Sequence, residues 1–229
     1  MDAFPFAAVL LDLDGVILDS MQQHASAWLE VMAGEGLVAD RQFVLENEGC
    51  LELSTLERFL AEQGREPRGA NAPEAVMSRM LARQLDLYLN QHAAGVRPFA
   101  QAAPFLGALA GAGVPTALVT SSRAAMVERC LHQELRTSFR AIITAEHTTR
   151  HKPHPEPYLT AARHLAADPR QCLVVENAPA GVRAAKAAGA TCYALTTTLT
   201  PAHLSEADTV FRDLAELAEH LGLVWETTD

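Results

Sequence analysis

The sequence predicts an α/β protein, a parallel sheet with an all-helical insertion after its first strand. Three observations predict it. Ala7-Ala8-Val9-Leu10-Leu11 is an unbroken apolar run, as in a strand buried on both faces of a parallel sheet. Residues 16–95 carry only helical patterning. After Gly95-Val96-Arg97-Pro98, helix and strand alternate, which implies βαβ crossovers. The expected division is therefore an α/β core of residues 1–15 and 96–229 and a helical cap of residues 16–95. A helical insertion at that point is well placed to act as a lid.

The elements follow in order. After the first strand, a helix over 20–36 has Ser20 as its N-cap and Ala27, Trp28, Val31 and Met32 on one apolar face. Helical patterns fit about 40–47, 53–64 and 74–92, and Gly64-Arg65-Glu66-Pro67-Arg68-Gly69 reads as a loop. A helix at about 101–112 precedes a strand at 115–120, and one at 123–133 precedes a short strand at 141–143. Helices at 156–166 and 179–187 precede strands at 172–176 and 191–195. A strand near 209–211 and a helix at 213–221 close the chain.

The chain has 229 residues and is 49% hydrophobic, enough for a sizeable core. A formal net charge of −10 argues against a general nucleic-acid binder. It leaves anionic substrates open, because a bound metal supplies local positive charge. Cys50, Cys130, Cys172 and Cys192 have neither metal-site nor disulfide-framework spacing, so four reduced thiols in a cytoplasmic protein are expected. Met1-Asp2-Ala3-Phe4-Pro5 has no basic leader character, and no apolar run reaches membrane-spanning length. Nothing in the sequence sets the oligomeric state.

The chemistry gathers at strand ends. Asp12 and Asp14 follow the first apolar run at spacing i, i+2, so in extended backbone both project to one side. Open α/β sheets bind ligands at that edge. Two crowded carboxylates there need a cation or a shared proton, which points to a divalent-metal site with a reactive aspartate. Asp12 is the candidate nucleophile, able to attack phosphorus and form an aspartyl-phosphate. Asp14 is the candidate acid and base, protonating the leaving alcohol and then activating water. Thr120 and Ser121 end a second strand and suit phosphate oxygens. Lys152, in His151-Lys152-Pro153-His154-Pro155, can offset the charge of Asp12 and the phosphoryl group. Glu176 and Asn177 end another strand and offer hard oxygens to Mg²⁺.

Each residue alone has a plainer reading. An isolated Asp-x-Asp is commonly a turn, Thr120-Ser121-Ser122 can cap the next helix, and Lys152 can be a solvated charge. Asn177 can be an N-cap ahead of Pro179. No GxGxxG follows the first strand, which disfavours a nucleotide site. The conjunction carries the functional reading: Asp12, Thr120 and Glu176 all end apolar runs, and the lysine lies between the latter two.

Together these residues resemble the haloacid dehalogenase superfamily, nearest to its helical-cap phosphatases and β-phosphoglucomutase-like members. Asp12-Leu13-Asp14-Gly15-Val16 is similar to its first motif and Leu118-Val119-Thr120-Ser121-Ser122 to its second. Lys152-Pro153-His154-Pro155 is similar to its lysine motif, and Val174-Val175-Glu176-Asn177-Ala178-Pro179-Ala180-Gly181 to its fourth. The resemblance implies a doubly wound (Rossmann-like) core, a four-helix cap, an aspartyl-phosphate intermediate and small phosphorylated metabolites as substrates. It also implies Mg²⁺ held by the Asp12 side chain, the main-chain carbonyl of Asp14 and the acidic motif at Glu176 and Asn177.

Three departures stand out. Asn177 occupies a position where the family usually has aspartate; an amide oxygen still ligates Mg²⁺ but brings no charge. His151 replaces a common glycine. The cap is mixed. His24 and Trp28, following Asp19-Ser20, resemble a mutase pattern in which the histidine relays a proton to the catalytic aspartate. Yet the mutase's phosphate-gripping cap arginine falls at Glu52 and its cap lysine near Gln84. Arg79 and Arg83 read as a solvated helix face. The expectation is a Mg²⁺-dependent phosphatase for a small phosphorylated metabolite such as a sugar phosphate. A phosphosugar mutase is the alternative, with a carbon–halogen hydrolase or a non-catalytic binding module on the same fold behind it.

Overall fold

The computed structural model describes residues 4–47, 53–64, 69 and 72–224. Cys50, Glu52 and residues 65–68 of the expected loop lie outside them. In chain order, β1 (Ala8–Leu11) leads to β2 (Leu18–Asp19), α1 (Met21–Gly34), α2 (Arg41–Glu46), α3 (Leu53–Glu62) and α4 (Pro73–Leu87). A π-helical turn (Tyr88–His92) and a 3₁₀ turn (Ala93–Gly95) lead to β3 (Arg97–Pro98). The α/β part then runs α5 (Ala102–Gly111), β4 (Thr116–Val119), α6 (Ala124–Cys130), α7 (Gln133–Arg136), β5 (Ala141–Ile143), α8 (Glu156–His164) and β6 (Cys172–Glu176). It ends α9 (Pro179–Ala187), β7 (Thr191–Leu195), β8 (Thr209–Phe211) and α10 (Leu214–His220).

Six strands form one sheet in the order β5-β4-β1-β6-β7-β8, and every pair in it is parallel. The side-chain period of two divides the sheet into faces. Val9, Leu11, Leu118, Leu173 and Val175 pack with Phe105 and Leu109 of α5 and Leu214 and Leu217 of α10. Ala8, Leu10, Ala117, Val119 and Val174 pack with Tyr158 and Ala161 of α8 and Val182 and Ala185 of α9. Helices therefore cover both faces, as a doubly wound α/β protein requires. Each leucine or valine buried this way contributes about 1.5–3 kcal/mol relative to exposure.

The register sets up everything at the carboxyl edge. Leu11 pairs with Leu118 on one side and Val175 on the other. Asp12 thus comes level with Val119 and Glu176. The chain winds outward from β1 through β4 to β5, then crosses back to β6 on the other side of β1. The strand order reverses beside β1, the place where such sheets open a ligand crevice.

The helices between β2 and β3 have an apolar centre of their own, with Met21, Val31 and Met32 of α1, Val44 of α2, Leu56 and Leu60 of α3, and Val76 and Met80 of α4. Where the chain leaves for this segment and returns from it, β2 and β3 pair antiparallel, Leu18 opposite Pro98 and Asp19 opposite Arg97.

Several local details depart from the sequence reading. The helix expected over 74–92 is α-helical only to Leu87. Its residues Val76, Met80 and Leu87 face the helical centre, whereas Tyr88, Ala93 and Val96 face the sheet's core. The wide π turn shifts the buried face from one core to the other. The helix expected over 123–133 breaks at Leu131, whose extended backbone buries its side chain. Ser20 takes the N-cap position of α1, but its hydroxyl caps no amide. The caps of α6 and α9 are Arg123 and Ala178, so neither Ser122 nor Asn177 is a helix cap. Cys130, Cys172 and Cys192 are free and buried. Among the described residues no helix is long and apolar enough to cross a membrane.

Candidate active site

The edge at β1, β4 and β6 gathers the residues singled out from the sequence. Asp12 leaves β1 with its amide bonded to Val175 O at 3.0 Å, which holds its side chain at the strand end. Lys152, from the loop before α8, is buried and donates to Asp12 Oδ1 at 2.5 Å, Glu176 Oε1 at 2.7 Å and Val119 O at 3.0 Å. Glu176 is buried as well. Its Oε1 also accepts from the Tyr158 hydroxyl at 2.7 Å, and its Oε2 from the main-chain N–H groups of Asn177 and Ala178 at 2.8 and 3.2 Å.

Asp14 sits one step out from Asp12. Its Oδ1 accepts from Ser20 Oγ at 2.7 Å and lies 3.0 Å from His24 Nε2; its Oδ2 accepts from Ser122 Oγ at 2.7 Å. Thr120 Oγ1 lies 3.5 Å from Oδ2 and accepts from the Ser122 amide at 2.9 Å. The unused N-cap hydroxyl of Ser20 and the Ser122 hydroxyl are thus spent on Asp14. Neither role is visible in the sequence, because nothing local marks a serine that reaches a carboxylate from another element. The His24 ring rests against that of Tyr88, with centroids 4.2 Å apart.

The electrostatics follow from the count of charges. Burial, together with Glu176 and Asp14, pushes the Asp12 carboxyl up, against the pull of Lys152. Burial opposes the Lys152 charge, but Asp12 and Glu176 outweigh it and hold the ammonium above the usual lysine range. Both shifts have one origin: two buried carboxylates, Asp12 and Glu176, share one ammonium, with Asp14 close by. Burial would raise Asp14 too, yet His24, Ser20 and Ser122 overcome it and lower that carboxyl to about 2. Burial and the adjacent Glu176 raise the Tyr158 phenol well above its ordinary range, so it stays a donor.

Two glycines make the packing possible. Gly15 has φ of +87°, and a Cβ there would overlap the Asn177 side chain. A Cβ on Gly181 would overlap the Glu176 carboxylate, which lies across the first turn of α9. Asn177 Nδ2 donates to Thr198 Oγ1 at 2.9 Å, and Thr197 Oγ1 donates to Gly15 O.

Over this edge lies a cavity of about 820 Å³. Asp12, Asp14, Thr120, Ser121, Lys152, Glu176 and Asn177 line its sheet side. His24, Trp28, Met77, Leu81, Gln84 and Leu85 line its helical side. Arg79 instead pairs with Glu35 at 2.6 Å, and neither it nor Arg83 lines the cavity.

A hard cation suits this donor set. Asp12 keeps Oδ2 beyond the oxygen that Lys152 takes, and the Asp14 carbonyl and Asn177 amide add neutral oxygens. Mg²⁺ favours such oxygens with water and phosphate completing the shell. The surplus of negative charge calls for it. Glu176 stands apart, since four donors already occupy its oxygens.

The family model of the haloacid dehalogenase-like hydrolases matches residues 6–189. The fructose-1-phosphate phosphatase YqaB of Escherichia coli K12 is 31% identical over 194 residues, covering 80% of this chain and 93% of that protein. A HAD family hydrolase of Deinococcus radiodurans R1, solved with bound phosphate and sodium, is 30% identical with a TM-score of 0.66, covering 97% of this chain and 100% of that one. The β-phosphoglucomutase of Clostridium difficile shares the fold, with a TM-score of 0.74 at 21% identity over 95% of this chain and 96% of that one.

Proposed function

The chain belongs to the haloacid dehalogenase-like hydrolases and is a phosphoric monoester hydrolase, and from that premise we propose a Mg²⁺-dependent phosphatase for a small sugar phosphate. The observation that carries the reading is the buried Asp12–Lys152 pair, 2.5 Å apart at the floor of the cavity. A carboxylate beside an ammonium is a nucleophile with its charge compensated and a cation already in place to offset phosphoryl charge.

The reaction takes two steps. An Asp12 carboxylate oxygen attacks phosphorus, and the bridging P–O bond of the substrate breaks as the aspartyl-phosphate forms. Asp14 gives a proton to the departing alkoxide. Asp14 then takes a proton from water, whose oxygen attacks phosphorus; the Asp12 O–P bond breaks and inorganic phosphate leaves. At rest Asp14 is ionised, and His24, 3.0 Å away, is the neighbour suited to supply its proton. Thr120 and Ser121 bind the phosphoryl oxygens, and the Lys152 ammonium, its three donors held by Asp12, Val119 and Glu176, offsets their charge. Asp12, the Asp14 carbonyl and Asn177 would hold Mg²⁺, which supplies charge neutralisation for those oxygens.

Residues 16–95 act as the cap over a core of 1–15 and 96–229. Their separate apolar centre and the β2–β3 ribbon at their base support that division. The cap's wall favours a phosphatase over a mutase. Its described residues present Met77, Leu81, Leu85, Trp28 and Gln84 to the cavity, an apolar and neutral wall that suits a substrate with a single phosphate. The free, buried thiols fit a reducing, cytoplasmic setting. Assay of the purified protein against phosphorylated metabolites, with and without Mg²⁺, tests the reading. Phosphate release that requires Mg²⁺ is expected. A phosphosugar isomer without release would establish the mutase instead, and an inert panel would remove the enzymatic reading.

A further inference from the structure

Tyr158 has no part in the steps above, yet it touches Glu176 and Lys152, the ammonium of the charge pair that they depend on. It lies on α8, fully buried, and its hydroxyl donates to Glu176 Oε1 at 2.7 Å. The same oxygen accepts from Lys152 Nζ at 2.7 Å. That ammonium stands 5.0 Å from the centroid of the Tyr158 ring, within cation–π range. We propose that Tyr158 is a positioning residue for phosphoryl transfer: its hydroxyl fixes the Glu176 carboxylate and its ring supports the Lys152 ammonium, so that the ammonium stays on Asp12. The inference rests on the phosphatase reading.

The argument is one of valence. A lysine ammonium has three donors, and Lys152 directs them at Asp12 Oδ1, Val119 O and Glu176 Oε1. A carboxylate offers about four acceptor sites. Glu176 fills its own with Lys152, Tyr158 and the main-chain N–H groups of Asn177 and Ala178. With every donor and acceptor matched, the ammonium has one position. Removal of the phenol oxygen leaves Oε1 a lone pair short of a partner, in a site with no room for an idle charge. The carboxylate then turns, and the ammonium follows it away from Asp12. Phosphoryl charge in flight between Asp12 and the leaving oxygen feels that displacement more than bound substrate does, so the loss falls on kcat rather than KM.

Tyr158→Phe in the full chain, assayed with Mg²⁺ on p-nitrophenyl phosphate, isolates the hydroxyl because the ring remains. We expect kcat to fall about tenfold with KM within about twofold. The inhibition constant of orthovanadate, which mimics the five-coordinate phosphorus, should rise by about the same factor. Mg²⁺ affinity measured by calorimetry should stay within about twofold, because the filled Glu176 carboxylate has no lone pair to lend. A packing role alone would lower the melting temperature and leave kcat and the vanadate constant unchanged; that result overturns the inference. Combining Tyr158→Phe with Glu176→Gln gives a second check. Because Tyr158 acts through Glu176, the double variant should lose less than the product of the single losses, and simple additivity counts against the proposal. A wild-type protein that neither turns over the ester nor binds vanadate overturns the phosphatase reading and this one together, whereas turnover with an indifferent Tyr158→Phe overturns this one alone.

Discussion

At Asp12 the chain buries a carboxylate beside two others, with one ammonium between them. Such a residue is expensive to keep, and its worth lies in chemistry. Asp12→Asn should lower turnover by at least about 10³-fold, because an amide does not attack phosphorus usefully. Steady-state kinetics decide it, and retention of most activity would discard the aspartyl-phosphate. Lys152 is the counterweight. Lys152→Met strands Asp12 and Glu176 without their shared cation and should cost about 3–5 kcal/mol of stability, read from urea unfolding. A stability within experimental error of wild type would mean that the carboxylates find other compensation. Asn177 tests the other side of the balance. Asn177→Asp adds a charge to the proposed ligand set and should tighten Mg²⁺ binding in calorimetry; an unchanged or weaker affinity removes Asn177 from that set.

At the scale of elements, the site exists because β1, β4 and β6 end together. Their register could be anticipated from the apolar runs, each of which stops one residue short of a polar side chain with chemical use. Residues 141–143, 172–176, 179–187, 191–195 and 209–211 form the expected elements to the residue, since each is a short apolar or amphipathic run with abrupt polar ends. Contacts between elements were less legible. A hydrophobic pattern reports which face of a helix is buried and not which distant carboxylate a serine hydroxyl will reach, so Ser20 and Ser122 read as caps when they serve Asp14. Tyr158 carries no signal in the sequence for the same reason. The π turn after α4 was invisible because its cause is a change of partner core. The start of α1 brings Ser20 and His24 to Asp14, so this helix couples the proposed cap to the acid and base. His24→Ala should therefore lower kcat by about 10²-fold, within the range of assisted proton transfer, and leave phosphate release dependent on Mg²⁺. An unchanged kcat would leave His24 as packing against Tyr88 and nothing more.

At the scale of the whole molecule, the described residues form three apolar centres around a buried cluster of carboxylates, and both bear on how the chain unfolds. Two centres flank the sheet and meet through it; the third belongs to the helices between β2 and β3. The carboxylate cluster sits at the sheet's edge, so a cation bound there stabilises the sheet directly and the helices only through the ribbon and the α1 contacts with Asp14. Ligand linkage gives the size: Mg²⁺ at 100 times its dissociation constant adds about 2.7 kcal/mol. For a chain of this length that corresponds to a rise of roughly 5–10 °C in the midpoint. Calorimetric melting with Mg²⁺ or with a chelator should show this shift in the transition of the sheet. A second, smaller transition from the helices, if resolved, should move less. In Asp12→Asn the shift should shrink, because one carboxylate of the site has gone. Equal melting curves with and without Mg²⁺ in the wild-type chain would mean that Lys152 alone balances the cluster, and the metal would lose its physical reason for being there.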